Sequence, residues 1–435
     1  MKILVVGGGG REHSILWALR KTSGRPLELF CAPGNAGIEQ IARCVPIDAT
    51  HIAELASFST SEKVDLTIVG PEAPLAAGIV DAFENRGLKI VGPHSQAARL
   101  ESSKAFAKDF MQRHNIPTAR HRVVSAAEEA IAVLRSDEFG SESTPVVIKA
   151  DGLAAGKGVV VARSRVEAEN AVRELTTGRV SADAVRKIVI EEALEGPEVS
   201  LLLFSDGKDF RLMPAARDHK RLRENDTGPN TGGMGSITDA NIVDRSLLDQ
   251  IVRQIVGPTL SGASIDGFPF RGVLFIGLML TAEGPKVLEY NVRFGDPETQ
   301  AILVRLQTDL VEICEAIMAE RLGQTQLTWS DESSACVVLA ARGYPGRPES
   351  NVRIDGLDRA AQAEQVSIFH AATARGSDGE WLTAGGRVLG VTATGENLEA
   401  ATARCYRAVA AIHWDGMQYR RDIGRQTLRL TTTSA

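Results

Sequence analysis

Three short β-branched runs near the N-terminus each stop at a turn rich in glycine or proline, and that punctuation constrains the fold more than any other feature of the chain. Residues 3–6 run into Gly7-Gly8-Gly9-Gly10, residues 27–31 into Ala32-Pro33-Gly34-Asn35-Ala36-Gly37, and residues 65–69 into Gly70-Pro71-Glu72-Ala73-Pro74. A further run covers residues 89–91, and residues 12–20 and 75–85 have the apolar spacing of helices. Strands joined by helices predict a doubly wound parallel sheet whose ligands gather at the carboxyl ends of the strands. The three turns are therefore the first candidate site.

From about residue 102 the pattern changes. A helix bearing Lys104 precedes runs at 121–124, 145–150, 159–162 and 188–192, which predict a small sheet with a glycine-rich turn. Residues 199–205, 211–215, a long helix near 244–257, and a hairpin of 272–280 with 286–293 turning at Thr281-Ala282-Glu283-Gly284 follow. Asp296-Pro297-Glu298 reads as a helix start with Asp296 as the cap. Strands at 335–340, 367–371 and 388–394 and a helix over 398–412 complete an α/β chain. At 435 residues it is expected to form several domains: 1–103, 104–330 with a small subdomain at about 120–192, and a C-terminal mixed α/β domain at 331–435.

With 49 basic against 55 acidic side chains and no basic cluster, a nucleic-acid surface has little support. Cys31, Cys44, Cys314, Cys336 and Cys405 are odd in number and far apart, which suits a reducing compartment. The apolar opening of residues 1–6 is far short of a signal peptide or membrane span. A cytoplasmic protein acting on small molecules, as a monomer and without membrane partners, is expected.

Several segments invite a nucleotide. A strand, glycines and a helix N-terminus make a phosphate cradle, or else merely a tight turn. A dinucleotide fingerprint fails, because Glu12 occupies the third glycine position after Gly7 and Gly9, and the second strand ends in Cys31-Ala32-Pro33 rather than a ribose-binding acid. The segment from Asp151 to Gly158 is not a P-loop either. Three residues, not four, separate Gly152 from Gly156-Lys157, and Gly158 replaces the metal-binding Ser or Thr. A glycine-rich flap over a triphosphate, with Lys149 before it and Lys157 within it, competes there with an ordinary hairpin turn. The acids of 191–198 suit an adenine and ribose connector, or simply a charged surface turn. The sharpest signal is Glu289-Tyr290-Asn291-Val292-Arg293. Period-two alternation sets Glu289, Asn291 and Arg293 on one face: two hard oxygen ligands beside a guanidinium, suited to magnesium-bound phosphates. A solvated sheet face is the plainer alternative.

Taken in order, these segments resemble the ATP-grasp superfamily and, within it, the phosphoribosylamine–glycine ligase family. The resemblance rests on Gly8-Gly9-Gly10-Arg11-Glu12-His13, residues 147–158, Asp218-His219-Lys220-Arg221, residues 226–235, Asn291-Val292-Arg293-Phe294-Gly295-Asp296-Pro297-Glu298 and residues 415–424, and so covers nearly the whole chain. It implies an ATP-grasp core with a mobile lid and an enzyme joining glycine to 5-phosphoribosylamine at the expense of ATP, with magnesium or manganese. It places Lys104 and Lys149 on phosphates, the turn containing Gly156, Lys157 and Gly158 as lid, Glu191, Glu192 and Leu194 at adenine, and Glu198 on ribose. Glu289 and Asn291 match metal ligands, and Arg293, Asp218 and Lys220 are catalytic candidates. Gly9, Gly10, Asn35, Gly70, Pro71, Glu72, Asn230, Gly232, Gly233 and Gly295 would line the substrate pockets. The chain departs from the family at Ser236-Ile237-Thr238-Asp239 and at Ala372, and residues 272–280 lack an acid that would supply another metal ligand.

Overall fold

The computed structural model describes residues 1–154, 158–179 and 186–425. Strands β1 (Lys2–Gly7), β2 (Glu28–Pro33), β3 (Arg43–Cys44), β4 (Leu66–Val69) and β5 (Ile90–Val91) form a parallel sheet in the order β3-β2-β1-β4-β5. The order reverses between β1 and β4. The crevice at that switch point lies beside Gly7–Gly10 and Gly70–Glu72, as the N-terminal pattern requires. The predicted helix over 75–85 is instead two short helices, Glu72–Ala76 and Ile79–Glu84, divided at Gly78, whose φ of 83° is left-handed. The helix Ile52–Glu62 and the two-residue β3 were not foreseen: the helix carries four hydroxyl residues among its eleven, and β3 is too short to show alternation.

A second sheet, β6 (His121–Val124), β7 (Val146–Ala150), β8 (Val159–Ala162) and β9 (Ile188–Glu192), is antiparallel in the order β6-β9-β7-β8. It packs Val146, Ile148 and Ile190 against Leu134 and Val172 of two covering helices. Gly156 and Lys157 lie outside the described residues.

The largest sheet runs through the middle of the molecule. Its strands are β10 (Glu198–Asp206), β11 (Phe210–Leu212), β12 (Ala216–Asp218), then, after a separate hairpin of β13 (Arg221–Arg223) and β14 (Thr227–Asn230), β15 (Gly235–Thr238), β16 (Arg271–Thr281), β17 (Gly284–Asn291) and β18 (Ser333–Ala340). Beyond β18, β19 (Arg353–Ile354), β21 (Thr373–Arg375) and β22 (Trp381–Thr383) form a small sheet, while β20 (Val366–His370) and β23 (Arg387–Gly395) extend the large one. Its order is β17-β16-β10-β12-β15-β18-β23-β20, with β11 paired to β10. The departure at Ser236-Ile237-Thr238 thus lies on a strand, where Gly235 to Thr238 pair with Ser334 to Val337 and tie residues beyond 331 to the central sheet.

One cap differs from expectation. The helix after Pro297 spans Glu298–Leu303 with Pro297 at its N-cap and no capping side chain. The Asp296 carboxylate is taken instead by Arg387 and Gln300, because an ion pair across the cleft satisfies it better than main-chain N–H groups would.

Candidate active site

Strand β17 alternates as its sequence demands. Tyr290 and Val292 are buried, whereas Glu289, Asn291 and Arg293 turn toward a cleft. Opposite β16, Gly277 faces Glu289 but Leu278 faces Val287, so Leu288 is bulged out of the ladder and its carbonyl accepts from Lys149 Nζ at 3.2 Å. Arg293 donates to Glu72 at 3.2 Å, to Glu101 at 2.9 Å and to Asn291 Oδ1 at 3.2 Å. Burial opposes its charge, but Glu101 and Glu72 raise its pKa further above the ordinary value. Glu101, the other partner of this cation, also accepts the Val292 N–H at 2.8 Å.

Glu289 lines the cleft with its side chain 40% exposed; partial desolvation favours the neutral acid, yet Lys220, Lys149 and Lys104 together hold its pKa below the usual carboxylate value. Lys220 Nζ is 2.9 Å from Glu198 Oε2 and 3.9 Å from Glu289 Oε1. Lys149 lies 2.9 Å from Glu191 Oε1, and Lys104 donates to the Gly152 carbonyl at 3.1 Å. Three lysines from separate segments therefore converge on Glu289. Glu192 is turned away, accepting from the Arg120 N–H at 2.9 Å. Leu194 is half-buried just beyond β9.

Across the cleft, Asp218 ends β12 with a buried Oδ1 that has no hydrogen-bond partner among the described residues. Burial and then the neighbouring Glu298 charge push its carboxyl well above the normal range, against Lys220 and Arg387. Glu298 is likewise raised by burial, and its Oε1 accepts from Ser200 at 3.1 Å. A Cβ at Gly233, whose φ is +108°, would lie 2.7 Å from Asp218 Oδ1 and 2.4 Å from Pro297, so only glycine passes there. Gly295 is similarly pressed against Glu298. Arg387, reaching from β23, donates to Asp296 Oδ2 at 2.8 Å, to the Asp296 carbonyl at 2.7 Å, and to the Gly232 carbonyl. Asn230, by contrast, is exposed on the β13–β14 hairpin.

At the N-terminal turns, Glu12 is the unexpected organiser. Its carboxylate accepts from the Gly9 N–H at 2.6 Å and from Arg11 at 2.6 Å, and it fills the space a Cβ at Gly70 would need. Pro71 caps the short helix that starts with Glu72, and Gly10 opens the helix Gly10–Thr22. Asn35 donates to the carbonyls of Gly8 at 2.7 Å and His370 at 2.9 Å, while its Oδ1 accepts from Gly37 and Ile38. Its amide is thus spent on main chain at the edge of the crevice.

Sequence reasoning overlooked Glu101, Glu298 and Arg387. Glu298 was visible only as a helix-start acid, and nothing in the linear order of Arg387 points toward Asp296.

Residues 1–101 match the N domain, residues 102–299 the ATP-grasp (A) domain, and residues 334–426 the C domain of phosphoribosylglycinamide synthetase. The phosphoribosylamine–glycine ligase of Xylella fastidiosa (strain Temecula1) is 47% identical over 427 residues, covering 98% of this chain and 97% of its own. The crystal structure of phosphoribosylamine–glycine ligase from Thermotoga maritima superposes with a TM-score of 0.80 at 34% identity, covering 97% of this chain and 100% of that one. The biotin carboxylase domain of the Hydrogenobacter thermophilus 2-oxoglutarate carboxylase, in complex with MgADP, ADP and bicarbonate, shares the fold with a TM-score of 0.70 at 17% identity, over 96% of this chain and 91% of that one. The cleft between the parallel sheet and the two antiparallel sheets is therefore that of an ATP-grasp ligase, and the chain belongs to the phosphoribosylglycinamide synthetase family.

Proposed function

We propose that this chain joins glycine to 5-phosphoribosylamine, consuming ATP and releasing ADP, phosphate and glycinamide ribonucleotide, a step of purine biosynthesis. The observation that carries this reading is the convergence of Lys104, Lys149 and Lys220 on Glu289 beside Asn291, facing the glycine turns of the parallel sheet across one cleft. A carboxylate does not react with an amine directly, because oxide would have to leave, so phosphoryl transfer from ATP first converts glycine into glycyl phosphate. The amine then displaces phosphate.

Each side chain has work of its own in that sequence. Lys104 and Lys149 bind the triphosphate, residues 191–194 receive adenine, and Glu198 receives ribose. Asp218, Lys220, Arg387 and the Gly232-Gly233 turn line the acceptor side, and the N-terminal turns with Glu72 hold the phosphoribosyl group. Arg293, fixed by Glu72 and Glu101, stands where charge develops on the transferring group. Glu289 and Asn291 offer an ionised carboxylate oxygen and an amide oxygen, the hard donor set that magnesium or manganese prefers. Such an ion, when bound, screens the phosphate charge. Among the described residues no cluster of three or more His, Cys, Asp or Glu side chains forms a fuller metal cage, so substrate phosphates would complete the shell.

We further propose the domain division 1–103, 104–330 with a lid at about 120–192, and 331–435, a monomeric state and a cytoplasmic location. Among the described residues no helix is long and apolar enough to cross a membrane. The deciding experiment mixes the protein with MgATP, glycine and freshly made phosphoribosylamine and identifies the product by mass. Product that forms with bicarbonate or formate in place of glycine, or no ADP release with all substrates present, would overturn the assignment.

A further inference from the structure

Lys108 has no part in the site as derived so far, yet it is among the most deeply buried charges in the molecule. It projects from the helix Lys104–Arg113 one turn beyond Lys104, and its side chain is 2% exposed. Its Nζ lies 3.0 Å from Glu191 Oε2 and donates to Thr118 Oγ1 at 2.7 Å, a hydroxyl that itself donates to the Val287 carbonyl at 2.6 Å. Lys149 approaches the other oxygen of the same carboxylate at 2.9 Å.

The two lysines are not held alike. Each meets Glu191 as an ion pair, Lys149 at 2.9 Å and Lys108 at 3.0 Å, and each also donates elsewhere, Lys149 to the Leu288 carbonyl at the cleft and Lys108 to Thr118 Oγ1 behind it. Lys108 is locked at depth, whereas Lys149 stands nearer the cleft at 9% exposure. One buried carboxylate cannot neutralise two ammonium groups. The trio carries a net positive charge in a place of low dielectric, which is unfavourable until an anion arrives. Burial accordingly pulls Lys108 down to about 8, with Glu191 opposing that fall and Lys149 adding to it.

We infer that Lys108 is a positioning residue for ATP: by satisfying Glu191 from behind, it releases Lys149 to meet the triphosphate and keeps the acid from pinning it. This rests on the reading that Lys149 is a phosphate ligand. Without Lys108, the buried Glu191 would have Lys149 as its only close cation among the described residues and would hold it, because an uncompensated buried carboxylate is costly.

The test compares ATP and adenosine binding to the full chain carrying Lys108→Met, Lys108→Arg or Lys149→Met, with melting curves as the control for folding. Lys108→Met is expected to weaken ATP binding about tenfold or more, to leave adenosine affinity within about twofold, and to be largely rescued in Lys108→Arg. Should Lys108→Met fail to fold, Thr118→Val removes only the hydroxyl that orients Lys108, and a smaller loss confined to ATP is expected. If Lys149→Met loses ATP affinity while Lys108→Met does not, the inference fails and the site reading stands. Equal losses for ATP and adenosine would reduce Lys108 to a packing role and also overturn it. Unchanged ATP binding in Lys149→Met would overturn the phosphate reading itself, and the inference with it.

Discussion

Asn291 Oδ1 accepts a hydrogen bond from Arg293 Nη2 at 3.2 Å, so the proposed metal ligand and the proposed phosphate-stabilising cation on one strand face are already in contact. An amide oxygen has two lone pairs, and the second remains free for a cation. Asn291→Leu removes both interactions and should raise the magnesium concentration needed for half-maximal rate, with Glu289→Gln acting in the same direction. Activity titrated against magnesium checks this, and unchanged curves for both variants would make the face ordinary solvated sheet.

Arg293→Lys keeps the charge but cannot span Glu72, Glu101 and Asn291 with one planar fork. Turnover should fall roughly a hundredfold while ATP affinity changes much less. Because Glu101 is left short of a partner, the melting temperature should drop as well. A variant that turns over at the wild-type rate would show that Arg293 serves only to bridge the two acids.

That strand also marks what the sequence could and could not disclose. Alternation is a local property, so residues 289, 291 and 293 were readable as one face, as were the parallel sheet and its glycine turns. The partners of Arg293 were not, because Glu72 and Glu101 lie 221 and 192 positions away. The same holds for the pairing of Arg387 with Asp296 across 91 residues. Asn35 was legible as a turn residue, but that its amide would be consumed by Gly8 and His370 depended on a strand end 335 residues later. Linear pattern reveals which groups point together along one element; it is silent on which distant element supplies the counter-charge.

Asn35 is therefore expected to behave as a clasp. Asn35→Ala strands two main-chain acceptors and two N–H groups at the crevice, which should cost about 1–3 kcal/mol of stability. Denaturant midpoints would show it, together with a weaker apparent affinity for phosphoribosylamine as the turns loosen. A fully stable variant with only the affinity changed would instead make Asn35 a direct substrate ligand.

Three histidines should make the fold sensitive to acid. His13 accepts the His370 N–H at 3.0 Å through Nδ1, and burial lowers His13 to about 4, His219 to about 4 and His370 to about 3. Each binds a proton more readily unfolded than folded. Their stabilising contribution is complete above the unfolded value near 6.5 and is lost as pH falls toward 4, at up to about 1.4 kcal/mol per pH unit for each group. Urea midpoints measured from pH 7 down to pH 5 should fall steeply, and less steeply in His13→Gln. A flat profile over that window would contradict the burial of these rings.

The carboxyl pair of Asp218 and Glu298 leads to an effect of opposite sign. Burial raises both, and the Glu298 charge raises Asp218 further, so the folded state binds these protons more tightly than the unfolded chain. Whatever stability the protonated pair contributes is present at low pH and lost as pH rises through the raised values. Once ionised the pair is a liability, and Asp218 Oδ1 is buried without a hydrogen-bond partner among the described residues. Asp218→Asn removes the repulsion at nearly constant volume, and an amide oriented toward Glu298 can donate to it. Where the pair is ionised the variant should gain on the order of 1 kcal/mol, a few degrees in melting temperature, and that gain should shrink as pH falls through the raised values. Turnover should fall sharply, because a negative oxygen beside Lys220 and the Gly232-Gly233 turn is kept at that cost only if a substrate group meets it. Melting and rate must be read on the same preparation across pH. A variant that loses stability at every pH would show that the Asp218 charge holds the fold together, and one that gains stability with no loss of turnover would remove Asp218 from the site.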